Sequence, residues 1–406
     1  MLRPRFSLSN DWIARLALCA LVGWVYFFPP ALDLFLKKSA LGYPSPDFYA
    51  YFIAGKAYNL GVDPYLDHHV DLPVLNNPRI EGFSGFIYPP TVLPFYGLLA
   101  RLSYNAARAV WALLNLGALL AVLGVLLARA KPAERPRLFM TGALLTLTSY
   151  PVLTHLGQGQ VDLLVCSLSV LAYLQYRSAR QWSSALLLSL AILIKFNPIV
   201  LLAALVLYTW DYKYLLRFGL VFALVVAASL LFFPPGYYLT FIKDILPDIS
   251  QGRAYYTNQS LIRLVAYQAP WPSLVAGGGF ALFSAFCLYA GWRRRRAPNA
   301  LPAAPLAQDA IFLMNILALL LFSGHSWTMA YVWLILPLAE LLPRLWQQAR
   351  PWFFALAALA VILVSSPVSE AFLLNSLNLL GGSLLLLLLL LLLLAPRLAL
   401  RPAAEG

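Results

Sequence analysis

Residues 105–128 read NAARAVWALLNLGALLAVLGVLLA, with one charged side chain, Arg108, in the whole stretch. About 20 consecutive apolar residues are what a helix needs to cross the hydrocarbon core of a bilayer. The apolar positions here are continuous, where the strand of a membrane barrel would alternate, so the stretch reads as a helix. Outward from it the pattern recurs near 12–29, 138–155, 161–176, 183–195, 197–210, 215–233, 272–292, 310–323, 329–343, 352–366 and 379–395. The chain of 406 residues is 61% hydrophobic and 11% charged, with mean hydropathy +0.75. A soluble domain carries about 25% charged residues, so a water-soluble fold would lack the polar surface to cover this core. The expectation is an all-α integral membrane protein of about twelve spans, one domain over residues 1–406.

A net charge of +13 invites a nucleic-acid reading. The basic residues, however, form no domain. They sit in short clusters between apolar runs, as the positive-inside rule requires, and no nucleic-acid partner is expected. With twelve spans both termini fall on the cytoplasmic side. The segments placed there hold 19 of the 29 basic residues but 6 of the 16 acids. The cluster Arg293–Arg296 alone would be hard to translocate. Cys19, Cys166 and Cys287 lie in apolar segments without disulfide or metal spacing and read as small buried hydrophobes. The first run lacks a small-residue cleavage site and reads as an uncleaved span. The leucine run Leu384–Leu394 reads as a lipid-facing anchor. The runs at 183–195 and 197–210 are short and are separated by Lys195-Phe196-Asn197-Pro198, so they read as a hairpin with its tip at membrane depth, where irregular backbone is tolerated only beside a cavity.

Two long loops lie on the far side, about 30–105 and 234–272, rich in Tyr, Phe, Trp and Pro. Within the first, Thr91–Leu102 is too short to span and reads as an interfacial helix. The candidate chemistry gathers on this side. Asp47, flanked by Pro46, Phe48 and Tyr49, is partly desolvated, which raises a carboxyl pKa and suits a general base; on the residues alone it reads first as a helix N-cap, and the two roles are compatible. Tyr88, before Pro89-Pro90, is an interface anchor that could touch a lipid head group. Gln158, Gln160 and Asp162 in Gly157–Asp162 face the same vestibule or cap a helix. Lys195 is an ionisable residue at membrane depth, a functional-site candidate and a binder of phosphate; the alternative is snorkelling. Asn258 and Gln259, flanked by Arg253 and Arg263, offer amides for a sugar and guanidiniums for a phosphodiester. His325 and Trp327 in Gly324-His325-Ser326-Trp327 offer acid–base work and a sugar-stacking ring. Asp67, His68, His69 and Asp71 match no standard metal spacing and read as a solvated loop.

In this order, Asp47-Phe48-Tyr49, Gly61-Val62-Asp63-Pro64-Tyr65, Tyr88-Pro89-Pro90, Gly157 to Asp162, Ile194 to Pro198, Asn258-Gln259-Ser260 and Ser323 to Trp327 resemble the glycosyltransferase family 87 enzymes, polyprenol-phosphate-mannose-dependent mannosyltransferases of the GT-C fold. The resemblance implies a GT-C-type helical bundle in the plasma (inner) membrane with an extracytoplasmic active site. The donor would be a polyprenyl-phosphate sugar, the acceptor a glycan or glycolipid, and membrane lipid a further partner. Asp47 would be the base that deprotonates the acceptor hydroxyl, the lipid phosphate would leave, and the anomeric centre would invert. Lys195 with Arg253 or Arg263 would meet the phosphate, and Asn258 and Gln259 would orient the sugar. His325 would lie near the acceptor or the donor phosphate. Asp162 stands where the family more often has Asn, and Gly324 precedes His325 where Pro is more usual. The first loop has no Asp-x-Asp pair, so no metal and no cofactor are expected. Two other classes fit a many-span chain. A transporter or flippase of lipid-linked saccharides would favour internal repeats and several charged spans. A lipid-linked-glycan ligase should carry a larger loop rich in Arg and His.

Overall fold

The computed structural model describes residues 45–65, 85–250, 255, 257–266, 268, 270–296, 304–368 and 375–401. The first expected span at 12–29, the Asp67–Asp71 cluster and Arg253 lie outside these residues. Among the described residues the regular structure is helical, with two isolated bridges, Asn258 to Trp327 and Ala349 to Leu400. The longer helices are α1 Pro46–Asn59, α2 Tyr104–Arg129, α3 Arg135–Thr148, α4 Tyr150–Gln158, α5 Asp162–Arg177, α6 Gln181–Ile194, α7 Tyr212–Ser229, α8 Trp271–Arg296, α9 Ala304–Phe322, α10 Ile335–Gln348, α11 Pro351–Ser365 and α12 Leu377–Leu394.

Among the described residues six helices are long and apolar enough to cross a membrane, or seven if α4 and α5, bent by 117° at their junction, are taken as one broken span. The expected twelve is therefore not supported. Hydropathy counts apolar residues but not backbone breaks. The run at 138–155 divides at Ser149-Tyr150-Pro151 into α3 and α4. The run at 183–195 is a helix of 14 residues, and that at 197–210 is Ile199–Ala203 continuing as a π-helical turn to Tyr208. Helix α11 has 15 residues. A helix rises about 1.5 Å per residue, so these pieces cover no more than about 23 Å, against a hydrocarbon core of about 30 Å. The interfacial stretch of the first loop is a 3₁₀ turn, Pro90–Val92, followed by a helix over Leu93–Leu99.

Depth in the bundle sorts the spans. Of the most apolar window in Pro305–Phe322, 83% is buried inside the protein, and of that in Thr328–Gln348, 72%. The corresponding window of α7 is 17% buried and that of α8 28%, and both present leucines outward, Leu216, Leu224 and Leu282 among them. Helix α9 and the 328–348 segment are thus the centre, and α7 and α8 the lipid-facing rim. The leucine run is not simply an anchor. Leu385, Leu388, Leu389, Leu392 and Leu393 are buried while Leu387 and Leu394 are exposed, so α12 turns one face into the protein. Identical side chains give no amphipathic signal, and only the packing partners choose the buried face.

Charges separate to opposite ends of α5. At its C-terminal end Arg177 Nη1 lies 2.7 Å from Asp309 Oδ1 and 3.1 Å from Glu340 Oε1. Arg344 reaches both carboxylates, with Nη2 2.7 Å from Glu340 Oε1. The Tyr173 hydroxyl donates to Asp309 at 2.7 Å. Two cations balance two anions, so no charge is left buried and unpaired, and α5, α9 and α10 are tied together. These four residues all come from segments that charge counting assigns to one side. The chemistry-bearing residues lie at the other end of α5, roughly 22 Å away at 1.5 Å per residue.

Candidate functional site

Helix α5 starts at Asp162 and the neighbouring, antiparallel α6 stops at Lys195, which brings the two charges together. Lys195 Nζ donates to both carboxylate oxygens of Asp162, at 2.8 and 2.9 Å. The Asp162 side chain is 2% exposed and that of Lys195 18%. Trp333 Nε1 donates to the same Asp162 oxygen at 2.8 Å. Lys195 also lies over the ring of Tyr88, 6.0 Å from its centroid. The backbone of Lys195 is extended (φ −147°, ψ 123°), because the following Phe196-Asn197-Pro198 cannot continue the helix.

Tyr88 is the hub of a second set of bonds. Its hydroxyl lies 2.8 Å from that of Tyr51, and each lies 3.1 Å from Gln160 Oε1. The Tyr65 hydroxyl donates to the Tyr88 carbonyl at 2.6 Å. Burial holds the Tyr88 phenol well above its ordinary pKa, and the charges of Asp47 and Asp162 push it the same way. Tyr51 is raised by burial first, then by Tyr88, Tyr96 and Asp47. Both phenols are neutral hydrogen-bonding groups at any working pH. The charges of Asp47, half-buried in the first turn of α1, and of Asp162 both act on Tyr88, and Tyr51, one helical turn after Asp47, brings α1 into hydrogen bond with Tyr88.

What docks α1 there is Gly159. It ends α4 with φ +69° and ψ 37°, a left-handed cap that favours glycine. A Cβ built on it would lie 2.5 Å from the Phe48 Cβ. Trp111 Nε1 donates to the Gly159 carbonyl at 2.7 Å, and its ring stacks on Phe48 at 6.1 Å between centroids. His155, 1% exposed, accepts from the Leu163 backbone N–H at 3.1 Å through Nε2. It thereby serves one of the unbonded donors at the start of α5. Gln158, the last residue of α4, is half-buried, and its side chain makes no hydrogen bond among the described residues.

The remaining candidates form a neighbouring group. Asn258 Nδ2 donates to the Gly324 carbonyl at 2.8 Å, and Asn258 Oδ1 accepts from Ser326 N at 3.1 Å. Gln259 Nε2 donates to the Asn375 carbonyl at 2.8 Å, and its Oε1 accepts from Leu379 N at 3.1 Å. Arg263 reaches the Asn375 carbonyl at 2.8 Å and the Ser376 hydroxyl at 2.6 Å. Asn258 and Gln259 are fully buried, and their amides stitch together segments 257–260, 324–328 and 375–379. His325 Nδ1 is bonded to the Ile249 carbonyl, and its ring lies 5.7 Å from that of the half-exposed Trp327. The 3₁₀ helix Thr328–Leu334 joins the two groups: the Tyr331 hydroxyl donates to the Gln259 carbonyl at 2.8 Å, while Trp333 holds Asp162.

Sequence reading placed Asp47, Tyr88, Gln160 and Lys195; the structure brings Tyr88, Gln160 and Lys195 together, with Asp47 one helical turn before Tyr51, which bonds Tyr88. It did not pair Lys195 with Asp162, and it gave no role to Tyr51, His155 or Trp333. The available signals were Tyr51 four residues after Asp47, on the same helix face, and an acid opening one short apolar run opposite a lysine closing the next. Among the described residues no three of His, Cys, Asp and Glu are grouped as metal ligands.

The fold and site together define an integral membrane protein whose buried, aromatic-walled polar site lies at one end of a helical bundle. Residues 86–323, more than half of the chain, match the family model of glycosyltransferase family 87, and the chain belongs to that family. It is a membrane glycosyltransferase, acting between a sugar donor and an acceptor. No curated protein matches the chain significantly.

Proposed function

We propose that the protein moves a hexose, with mannose as the donor sugar, from a polyprenyl phosphate to a glycan or glycolipid acceptor on the extracytoplasmic face of the plasma (inner) membrane. Transfer inverts the anomeric carbon. The observation that carries this reading is the Asp162–Lys195 pair beside Tyr88, which is bonded to Tyr51, one helical turn after Asp47. A carboxylate base and a half-buried ammonium match the two charges that a direct displacement must manage.

Asp47 takes the proton of the acceptor hydroxyl as its oxygen bonds to the anomeric carbon. The bond from that carbon to the phosphate oxygen breaks, and the electron pair leaves on the lipid phosphate. An ammonium has three donors; Asp162 takes two, which leaves one for a phosphate oxygen. As negative charge grows on that oxygen the ammonium is drawn from Asp162 toward it, so the interaction strengthens in the transition state, where it accelerates the reaction. Gln158 and Gln160 line the approach. Asn258, Gln259 and Arg263 hold the loop that presents His325 to the reacting groups and Trp327 to the sugar face. Arg253 belongs to the same reading as a further phosphate contact.

The test is transfer by the purified protein in detergent, with radiolabelled polyprenyl-phosphate mannose and native membrane lipids, for wild type and Asp47→Asn. Removal of a general base is expected to slow transfer by about 10²–10⁴-fold with donor binding kept. Equal rates would remove Asp47 from the mechanism. Absence of transfer from this or any other polyprenyl-phosphate sugar would overturn the donor assignment.

A further inference from the structure

The cluster Arg293–Arg296 at the end of α8 is more than a topology signal. Arg293 Nη1 donates to the last carbonyls of α12, at 3.3 Å to Leu393 and 3.2 Å to Leu394. The other three guanidiniums lie over aromatic faces: Arg294 over Tyr208 at 5.5 Å, Arg295 over Trp210 at 4.9 Å and Arg296 over Trp292 at 5.6 Å. Among the described residues none of the four is in an ion pair with a carboxylate; the pairs there belong to Arg177, Lys195 and Arg344.

Two donors lie beneath them. The Tyr208 hydroxyl and Trp210 Nε1 are both buried, and neither has an acceptor among the described residues; the Arg294 guanidinium beside the Tyr208 hydroxyl can only donate to it. Trp210 is held there at φ +60°, a conformation an aromatic residue rarely adopts. A Cβ on Gly291 would lie 2.7 Å from Trp210 Nε1 and 2.4 Å from the Tyr208 carbonyl. The bare backbone of α8 at Gly291 is therefore what lets the Trp210 ring and the Tyr208 backbone seat against it. Buried donors without acceptors are costly, and here they stand beside unneutralised guanidiniums. Such a set asks for an oxyanion.

We propose that Arg294, Arg295, Tyr208 and Trp210 form a binding site for the phosphodiester of an anionic phospholipid. It lies at the end of the molecule opposite Asp162 and Lys195 and is separate from the donor phosphate site. The source is a bilayer lipid because the site closes a membrane-crossing helix and is ringed by exposed Trp292, Tyr289 and Tyr212, the aromatic belt of a membrane interface. Guanidinium on an aromatic face with a planar fork of donors is the arrangement suited to phosphate.

The experiment is native mass spectrometry of the full chain released from micelles containing either phosphatidylglycerol or phosphatidylcholine. Wild type should retain phosphatidylglycerol by about tenfold over phosphatidylcholine, and Arg294→Gln/Arg295→Gln should lose that preference. Arg135→Gln/Arg137→Gln, which removes two charges elsewhere, should keep it. Trp210→Phe keeps an aromatic face and removes the donor. It should weaken phosphatidylglycerol retention severalfold, and it supplies the reading if the double arginine variant does not fold. Equal retention by wild type and Arg294→Gln/Arg295→Gln, or equal loss in the Arg135 and Arg137 control, would overturn the site. Displacement of the lipid by inorganic phosphate, with no preference among lipids, would overturn its assignment to a membrane lipid.

Discussion

Replacing Asp162 by asparagine removes one half of a buried ion pair while keeping the shape of the side chain. The remaining amide still offers an oxygen to Trp333 Nε1, which now bonds Asp162 at 2.8 Å. What it cannot offer is a charge for Lys195, whose ammonium lies 2.8 and 2.9 Å from the two oxygens. Opposite unit charges 4 Å apart attract by about 4 kcal/mol at an effective dielectric of 20. Breaking one side of a buried pair costs about 3–5 kcal/mol. Lys195 keeps 18% of its side chain in reach of solvent, so the lower end of that range, about 3 kcal/mol, is expected for Asp162→Asn. Lys195→Met strands the carboxylate, which is more deeply buried, and should cost at least as much. Asp162→Asn/Lys195→Met leaves no stranded charge and should lose well under the sum of the two singles. The assay is unfolding in mixed micelles with SDS, read as a double-mutant cycle. A second readout separates the pair's structural role from its proposed partner: polyprenyl phosphate should stabilise Asp162→Asn more than wild type, because its phosphate supplies the missing negative charge. Unchanged stability in Asp162→Asn, or a double variant that falls by the full sum, would refute the reasoning.

Three further perturbations follow from the geometry. Tyr88→Phe removes the hydroxyl that contacts Tyr51 and Gln160 Oε1; it should cost about 1–3 kcal/mol in the same unfolding assay by leaving buried groups less satisfied, and a neutral result would mean the triangle is rewired by water. Gly159→Ala meets both an unfavourable φ and the Phe48 Cβ; with about 1–2 kcal/mol for the backbone and more for the clash, it should displace α1 and lower transfer, whereas wild-type activity would show that α1 need not dock there. Asp309→Asn leaves Arg177 and Arg344 facing Glu340 alone; unfolding should show a loss of about 3 kcal/mol, with donor KM unchanged because this network lies at the other end of α5.

Membrane insertion, helical class and the family were legible in the residues, because each rests on local properties. Apolar runs need no partner to be read, and Asp47, Tyr88, Lys195 and His325 stand in short motifs with recognisable order. The segregation of Arg177, Asp309, Glu340 and Arg344 from Asp162 and Lys195 also followed from counting charges between runs. The span count did not, because hydropathy sums over Pro151 and Pro198 as if the backbone were continuous. The orientation of α12 was equally hidden, since a run of leucines has no preferred face until neighbours supply one.

The sequence by itself determined that Lys195 would be an expensive charge with a reason to exist. Only the tertiary structure decided what it answers to: the pairing with Asp162 crosses 33 positions of chain and depends on two helices running antiparallel, and Trp333 arrives from 171 positions away. The same holds for Asn258 and Gln259, which read as sugar-facing amides and are found holding three loops together. A polar side chain announces in the sequence that it needs a partner, but which partner it finds depends on how distant segments pack.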